Sequence, residues 1–428
     1  MDYVQTLAYL FSKLPLYSRI GAAAYRTDLV NTIELCDFIG NPQDTFKSVH
    51  IAGTNGKGST SHMLAAIFQA AGYKTGLYTS PHLKDFRERI RVNGEMIRED
   101  FVIDFVRRIR PLSEKIDPSF FEVTVAMAFD YFAQERVDIA IVEVGLGGRL
   151  DSTNIITPGL SIITQIGYDH MNMLGDTLPA IAGEKAGIIK KGVPVVIGET
   201  HPETTAVFDK KAALEGAPLT YADHHRFVAD WSYDRHILVA EVTTLPSNDK
   251  DYYRLDLGGI YQIKNLVTVL EAVRILKSQG WQLEHEAVHH ALEHVRRLTG
   301  LHGRWEVIRE NPTVALDVAH NEDGIRQLVR QIELTDHETL HIVIGMVKDK
   351  EIYKVLDLLP RQAHYYFTRA QIPRALPEDQ LAEQAGMLGL QGRAYPTVME
   401  AVHAATAHAR AKDLVVVCGS VFVVGEVE

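Results

Sequence analysis

Gly53-Thr54-Asn55-Gly56-Lys57-Gly58-Ser59-Thr60 is the stretch on which the reading of this 428-residue chain turns. It follows Ser48-Val49-His50-Ile51-Ala52, a strand by composition, and precedes Ser61–Phe68, which has helical character and stops at Gly72. Strand, glycine loop, lysine, hydroxyls and helix in that order form a cradle for phosphate. Glycines let backbone amides close on an anion, and a helix N-terminus adds partial positive charge. Lys57 has the reach for outer phosphates, and Ser59 or Thr60 carries the hydroxyl for a magnesium ion. The segment departs from the general G-x-x-x-x-G-K-[ST] pattern: Ile51 stands where the first glycine belongs, and Gly58 where a hydroxyl follows lysine. A plain glycine turn between strand and helix is the competing reading.

Composition narrows what surrounds this loop. The length suggests two or three domains, and 46% apolar residues suffice for sizeable cores. A formal net charge of −11 speaks against a general attraction to nucleic acid. Any anionic substrate therefore needs local Lys, Arg or metal. Cys36 and Cys418 lie far apart in apolar surroundings and read as buried thiols in a reducing compartment. The N-terminus carries Asp2 where a signal peptide wants bases, and no apolar run reaches the ~18 residues of a membrane span. The expectation is a cytoplasmic enzyme with small-molecule partners and neither nucleic acid nor membrane.

Along the chain, apolar strand-like runs alternate with helical periods, the signature of βαβ units. Strands are expected at 49–52, 75–79, 139–144, 161–165 and 193–197, with helices near 99–110, 121–135 and 178–185. Asn93-Gly94 signals a tight hairpin. The alternation from about Phe227 to Leu257 suggests a small added antiparallel sheet, and Tyr261–Gln279 reads as a helix. A boundary is expected near Leu298–Arg304, giving one domain over 1–298 and a smaller α/β domain over 299–428.

Several candidate residues stand at the carboxyl ends of expected strands, where open α/β sheets bind ligands. Glu143 precedes the glycine loop Gly145–Gly148 and is placed to meet a metal; the alternative is a buried acid paired with a helix N-terminus. Ser80 follows the strand 75–79 in a loop suited to substrate contacts or a metal-facing hydroxyl, and His170 follows 161–165, although imidazole is an uncommon magnesium ligand. Lys185 sits between small residues as a counter-charge for phosphate or as an ordinary solvated lysine. In the second domain Asp317, His320 and Arg304 are candidates, with Asn321 a good N-cap.

Taken together, the segments resemble the Mur ligase superfamily, in its folylpolyglutamate synthase/dihydrofolate synthase branch. The resemblance rests on Val49–Ser59, Tyr78–Leu83, Glu143–Asn154, Gly183–Lys190, Tyr261–Asn265, His302–Arg304, Asp317–Asn321 and Cys418–Glu426, which occur in order and run nearly end to end. Glycine after the lysine, where peptidoglycan ligases usually carry Thr, points to the folate branch. Two departures are Leu301-His302-Gly303-Arg304 for a usual Leu-Pro-Gly-Arg and Tyr25-Arg26-Thr27-Asp28-Leu29 for Gly-Leu-Glu-Arg-Ile.

The resemblance implies a P-loop ATPase domain with a parallel sheet, followed by a smaller Rossmann-like glutamate ligase domain. It implies ATP contacts at Gly53, Thr54, Asn55, Gly56, Lys57, Gly58 and Ser59, with Asn265, Arg304 and Asp317 as further nucleotide contacts. Two magnesium ions would involve Ser59, Ser80, Glu143 and His170. Lys185 matches a lysine that is carbamylated in the family, and His320 a histidine near the incoming amino acid. The pterin would lie near Phe121, Glu122, Leu150, Asp151 and Ser152. The implied reaction is ATP-dependent ligation of L-glutamate to dihydropteroate or folylpolyglutamate through an acyl phosphate, by a monomer. Another Mur-type amino-acid ligase is the alternative, and a nucleotide-binding regulator without ligase chemistry is a third.

Overall fold

The structure, a computed structural model, describes residues 1–16, 21, 28–348 and 352–427. Tyr25, Arg26 and Thr27 of the departing N-terminal motif lie outside the described residues. The chain divides into two compact units. One comprises 1–233, 239–256 and 262–300; the other comprises 234–238, 257–261 and 301–428.

The first unit is built on eight strands: β1 (Lys47–Ala52), β2 (Thr75–Tyr78), β3 (Ile90–Val92), β4 (Glu95–Met96), β5 (Ile139–Glu143), β6 (Leu160–Ile163), β7 (Val195–Ile197) and β8 (Leu219–Tyr221). Their order is β4-β3-β2-β5-β1-β6-β7-β8. From β2 to β8 every pairing is parallel. β3 and β4 form the antiparallel hairpin around Asn93-Gly94, with Asn93 at φ 49° and Gly94 at φ 82°, as a tight primed turn demands. β5 lies between β1 and β2 and is buried at all five positions, which explains its unbroken apolar sequence. Ala140 and Val142 of β5 pack with Phe105, Phe129 and Phe132 from the helices Glu99–Ile116 and Phe120–Glu135. Ala52, Ile163 and Ile197 join Ala182 and Ile188 in another core cluster.

β9 (Arg226–Asp234), β10 (Ile237–Thr244) and β11 (Asp249–Leu255) make the small added sheet. Connections of two and four residues allow only antiparallel neighbours. The helix Gln262–Ser278 follows as expected, but the helices Thr205–Glu215 and His285–Glu293 have no counterpart in the sequence reading. The latter buries Val288, Ala291 and Leu292, a three-four period that its histidines conceal.

In the second unit, β12 (Glu306–Arg309), β13 (Thr313–Leu316), β14 (Leu340–Ile344), β15 (His364–Phe367), β16 (Gly392–Ala394) and β17 (Leu414–Cys418) order as β12-β13-β17-β14-β15-β16. Only β12 runs antiparallel to its neighbour. Ile342, Ile344, Leu414 and Val416 pack against Ile325, Leu328 and Ile332 of the helix Glu322–Glu333. Cys36 and Cys418 are both buried free thiols, and burial pushes the Cys36 thiol up to about 12.

Candidate functional site

The loop Gly53–Gly56 leaves the carboxyl end of β1, at the centre of the parallel sheet, and enters the helix Lys57–Ala70. Gly56 is its N-cap at φ 88°, a left-handed geometry that side chains resist. Gly53 lies so close to Thr164 that a Cβ there would stand 1.9 Å from the threonine Oγ1. Thr164 fixes the loop from beneath, its hydroxyl donating to the Asn55 carbonyl at 2.6 Å. The Thr54 amide donates to the Gln165 carbonyl at 2.7 Å, and its hydroxyl to the Gly167 carbonyl at 3.0 Å. β6 ends at Ile163, earlier than its sequence suggests, because Thr164 and Gln165 turn to hold this loop.

Two ammonium groups converge on one carbonyl. Lys57 Nζ donates to the Gly53 and Thr54 carbonyls, each at 3.0 Å, and Lys185 Nζ donates to the Gly53 carbonyl at 2.9 Å. Lys185 is 4% exposed, at the end of the helix Leu178–Lys185. Burial first, and then the charge of Lys57, bring its pKa down to about 7. A bond from the Arg149 amide to the Glu184 carbonyl, 2.8 Å, ties the helix end to the loop after β5 and fixes where Lys185 emerges.

Ser59 is 2% exposed, and its hydroxyl accepts from Gln262 Nε2 at 3.1 Å. Gln262 Oε1 in turn accepts from Asn265 Nδ2 at 2.7 Å, and a Cβ on Gly56 would stand 2.3 Å from Asn265 Oδ1. The first turn of the helix Gln262–Ser278 is thus docked on the loop. Gln262, Thr164 and Gln165 went unassigned in the sequence reading. The only signal for the last two was polarity directly after an apolar run at a strand's carboxyl end.

Glu143, buried at the end of β5, accepts from the Ser80 amide at 3.3 Å. His170 takes a left-handed conformation before a short helical turn, its Nε2 3.8 Å from Asp169. The Phe121 ring covers the loop after β5, where a Cβ on Gly145 would stand 2.3 Å from it. Asp151 closes that loop, accepting from the Leu146 and Thr153 amides at 2.8 and 3.0 Å; burial raises its pKa against these bonds. Leu150 and Ser152 flank it, Ser152 opening a short helical turn. Glu122 forms a capping box with Ser119, and its Oε2 also accepts from Asn31 at 3.4 Å. Glu122 is 1% exposed, and its Oε1 is a buried oxygen without a hydrogen-bond partner among the described residues.

Arg304, Asp317 and His320 fall in the second unit. Asp317 is buried and accepts from Tyr261 Oη at 2.7 Å, the Trp305 amide at 3.0 Å and the Ala319 amide at 2.9 Å. Burial raises its pKa, while the positive charge of Arg304 acts in the opposite sense. His320 Nδ1 lies 2.9 Å from the Val318 carbonyl, and Asn321 caps the helix Glu322–Glu333, its side chain accepting from the Gly324 amide.

Residues 51–273 match the Mur ligase middle domain, and residues 303–421 the Mur ligase glutamate ligase domain. A folylpolyglutamate synthase of Lacticaseibacillus casei is 33% identical over 88% of this chain and 88% of its own. The Mycobacterium tuberculosis folylpolyglutamate synthase, solved with ADP and AMPPCP, superposes with a TM-score of 0.88 at 32% identity, covering 99% of this chain and 98% of that one. The bifunctional folylpolyglutamate synthase/dihydrofolate synthase of Yersinia pestis, solved with AMPPNP and a manganese ion, has a TM-score of 0.83 at 30% identity, covering 99% and 97%.

Proposed function

We infer the function from one premise: this chain belongs to the Mur ligase family, in its folylpolyglutamate synthase/dihydrofolate synthase branch. We propose that it is an ATP-dependent ligase that joins L-glutamate to dihydropteroate, to folylpolyglutamates or to both, releasing ADP and phosphate. The observation that carries this is the pair of lysines, Lys57 and Lys185, whose ammonium groups meet on the Gly53 carbonyl at the mouth of a glycine loop. Such a concentration of positive charge beside a helix N-terminus suits a triphosphate.

The chemistry follows from the difficulty of the reaction. A carboxylate is a poor acyl donor because oxide is a poor leaving group. Transfer of the γ-phosphoryl group makes an acyl phosphate; the glutamate amine then attacks it and phosphate departs as the amide forms. Positioning and charge neutralisation are the protein's part. In this reading residues 53–59 and Asn265 hold the nucleotide, with Arg304 and Asp317 as further contacts. Phe121, Glu122, Leu150, Asp151 and Ser152 face the pterin, the Glu122 oxygen that has no hydrogen-bond partner among the described residues serving as an acceptor for its N–H groups. His320 lies near the incoming glutamate.

The oxygens of Ser59, Ser80 and Glu143 form a donor set that suits magnesium, and His170 completes it with nitrogen. When bound there, one or two such ions would neutralise triphosphate charge. Lys185, buried and with a pKa of about 7, keeps the neutral amine that attack on CO₂ requires. The carbamate so formed, with loss of one proton, would add an oxygen ligand. We assign 1–298 as the ATPase domain and 299–428 as the glutamate ligase domain, and expect a cytoplasmic monomer.

The test is mass spectrometry of products from ATP and glutamate with dihydropteroate and tetrahydrofolate tried separately. Glutamylated product with the native chain, and loss of at least ~100-fold in rate with a folded Lys57→Ala variant, are expected. Full activity in Lys57→Ala would remove the assigned role. Product only with a non-pterin acid would favour another Mur-type ligase.

A further inference from the structure

The helix His285–Glu293, which packs on the helix Lys57–Ala70, carries part of a group of donors that this ligase reading leaves unused. Asp251 of β11 and His285 and His289 of the helix His285–Glu293 bring three ligand atoms together. His285 Nε2 lies 2.8 Å and His289 Nε2 3.2 Å from Asp251 Oδ2, and the two nitrogens are 3.0 Å apart. The histidines stand four residues apart, so one helix face presents both. His285-Glu286-Ala287-Val288-His289 has the H-E-x-x-H spacing found where two imidazoles of a helix share a metal.

The near-equilateral triangle is the informative feature. Donors held about 2.1 Å from a common centre at right angles stand about 3.0 Å apart, and at tetrahedral angles about 3.4 Å. The three observed separations centre on the first value. Two imidazole nitrogens sharing one carboxylate oxygen compete for it as hydrogen-bond partners, whereas a cation between them uses all three lone pairs at once. The surroundings hold the ligands in place. Tyr253 hydrogen-bonds Asp251 through its side chain, and its ring stacks on His289 at 4.4 Å between centroids. Outer partners of this kind orient metal ligands. The side chains of Asp251, His285 and His289 are 35%, 63% and 26% exposed, so an ion has a way in.

We propose that Asp251, His285 and His289 bind one divalent transition-metal ion of the zinc class. The ion pins β11 of the small sheet to the helix His285–Glu293, which packs on the helix Lys57–Ala70. Two nitrogens and one carboxylate select against magnesium and calcium, which prefer oxygen.

The experiment uses the full chain, stripped of metal with a chelator, without nucleotide and in excess magnesium. Zinc is titrated against a chromophoric chelator, and cobalt is followed by its visible absorption. One ion per chain is expected to bind in the native protein. His289→Ala and Asp251→Asn should each weaken binding by at least about tenfold and remove the cobalt bands, and Tyr253→Phe should weaken it less. His290→Ala, on the same helix, should leave binding intact. Ligase activity within about twofold of native in these variants shows that they fold. Zinc and cobalt binding that is absent in the native chain, or unchanged in the His285→Ala/His289→Ala double variant, overturns the proposal.

Discussion

Lys185 shows how a residue acquires chemistry from its neighbours. Its unfolded pKa is near 10.4, and burial beside Lys57 brings it to about 7 in the fold. Below pH 7 both states hold the proton, and burying it costs stability. Between about pH 7 and 10 the unfolded chain binds a proton that the folded chain has lost, so stability rises with pH by as much as about 1.4 kcal/mol per unit. In CO₂-free buffer, denaturant titrations across this range should show that extra slope in the native chain and its absence in Lys185→Met. The same neutral amine predicts that labelling of Lys185 by ¹³C-bicarbonate, read by NMR, increases from pH 6 to pH 8. Gly53→Ala puts a Cβ against Thr164 Oγ1 and should reduce nucleotide affinity by at least ~10-fold with the fold retained, as isothermal titration would record. The surroundings of Lys57 are local, since the carbonyls it meets, Gly53 and Thr54, lie four and three residues before it. The burial of Lys185 was not legible in the sequence, because the carbonyl it meets, Gly53, lies 132 residues earlier in the chain.

Elements were legible where their period was complete. The buried strand β5 and the helices near 121–135 and 178–185 stand within a residue or two of expectation, because an apolar run and a three-four period each survive inspection of one segment. The helix His285–Glu293 escaped because three of its nine residues are histidine and its buried stripe is only three residues. The helix Phe120–Glu135 offers two tests. Its capping box joins Ser119 and Glu122, so Ser119→Ala should lower stability by about 1 kcal/mol in chemical denaturation. Phe132 is fully buried beneath the sheet, and Phe132→Ala should cost about 3–5 kcal/mol. If the two losses were equal, packing would not dominate this element.

At the scale of the molecule, the alternation of strands and helices and the hairpin at Asn93-Gly94 follow from patterns along the chain, whereas the order of the strands in the sheet does not. Nor do the pieces 234–238 and 257–261 that cluster with the second unit, since only long-range packing decides where a short segment belongs. Among the described residues, no helix is long and apolar enough to cross a membrane. Sedimentation at micromolar concentration should give a single species near the 47.8 kDa of one chain. The taper of the eight-stranded sheet bears on that outcome. It narrows to two residues at β4 on one margin and three at β8 on the other. A neighbouring chain finds little rail there on which to zip its own backbone, so growth of this particular sheet by strand addition is disfavoured at both rims.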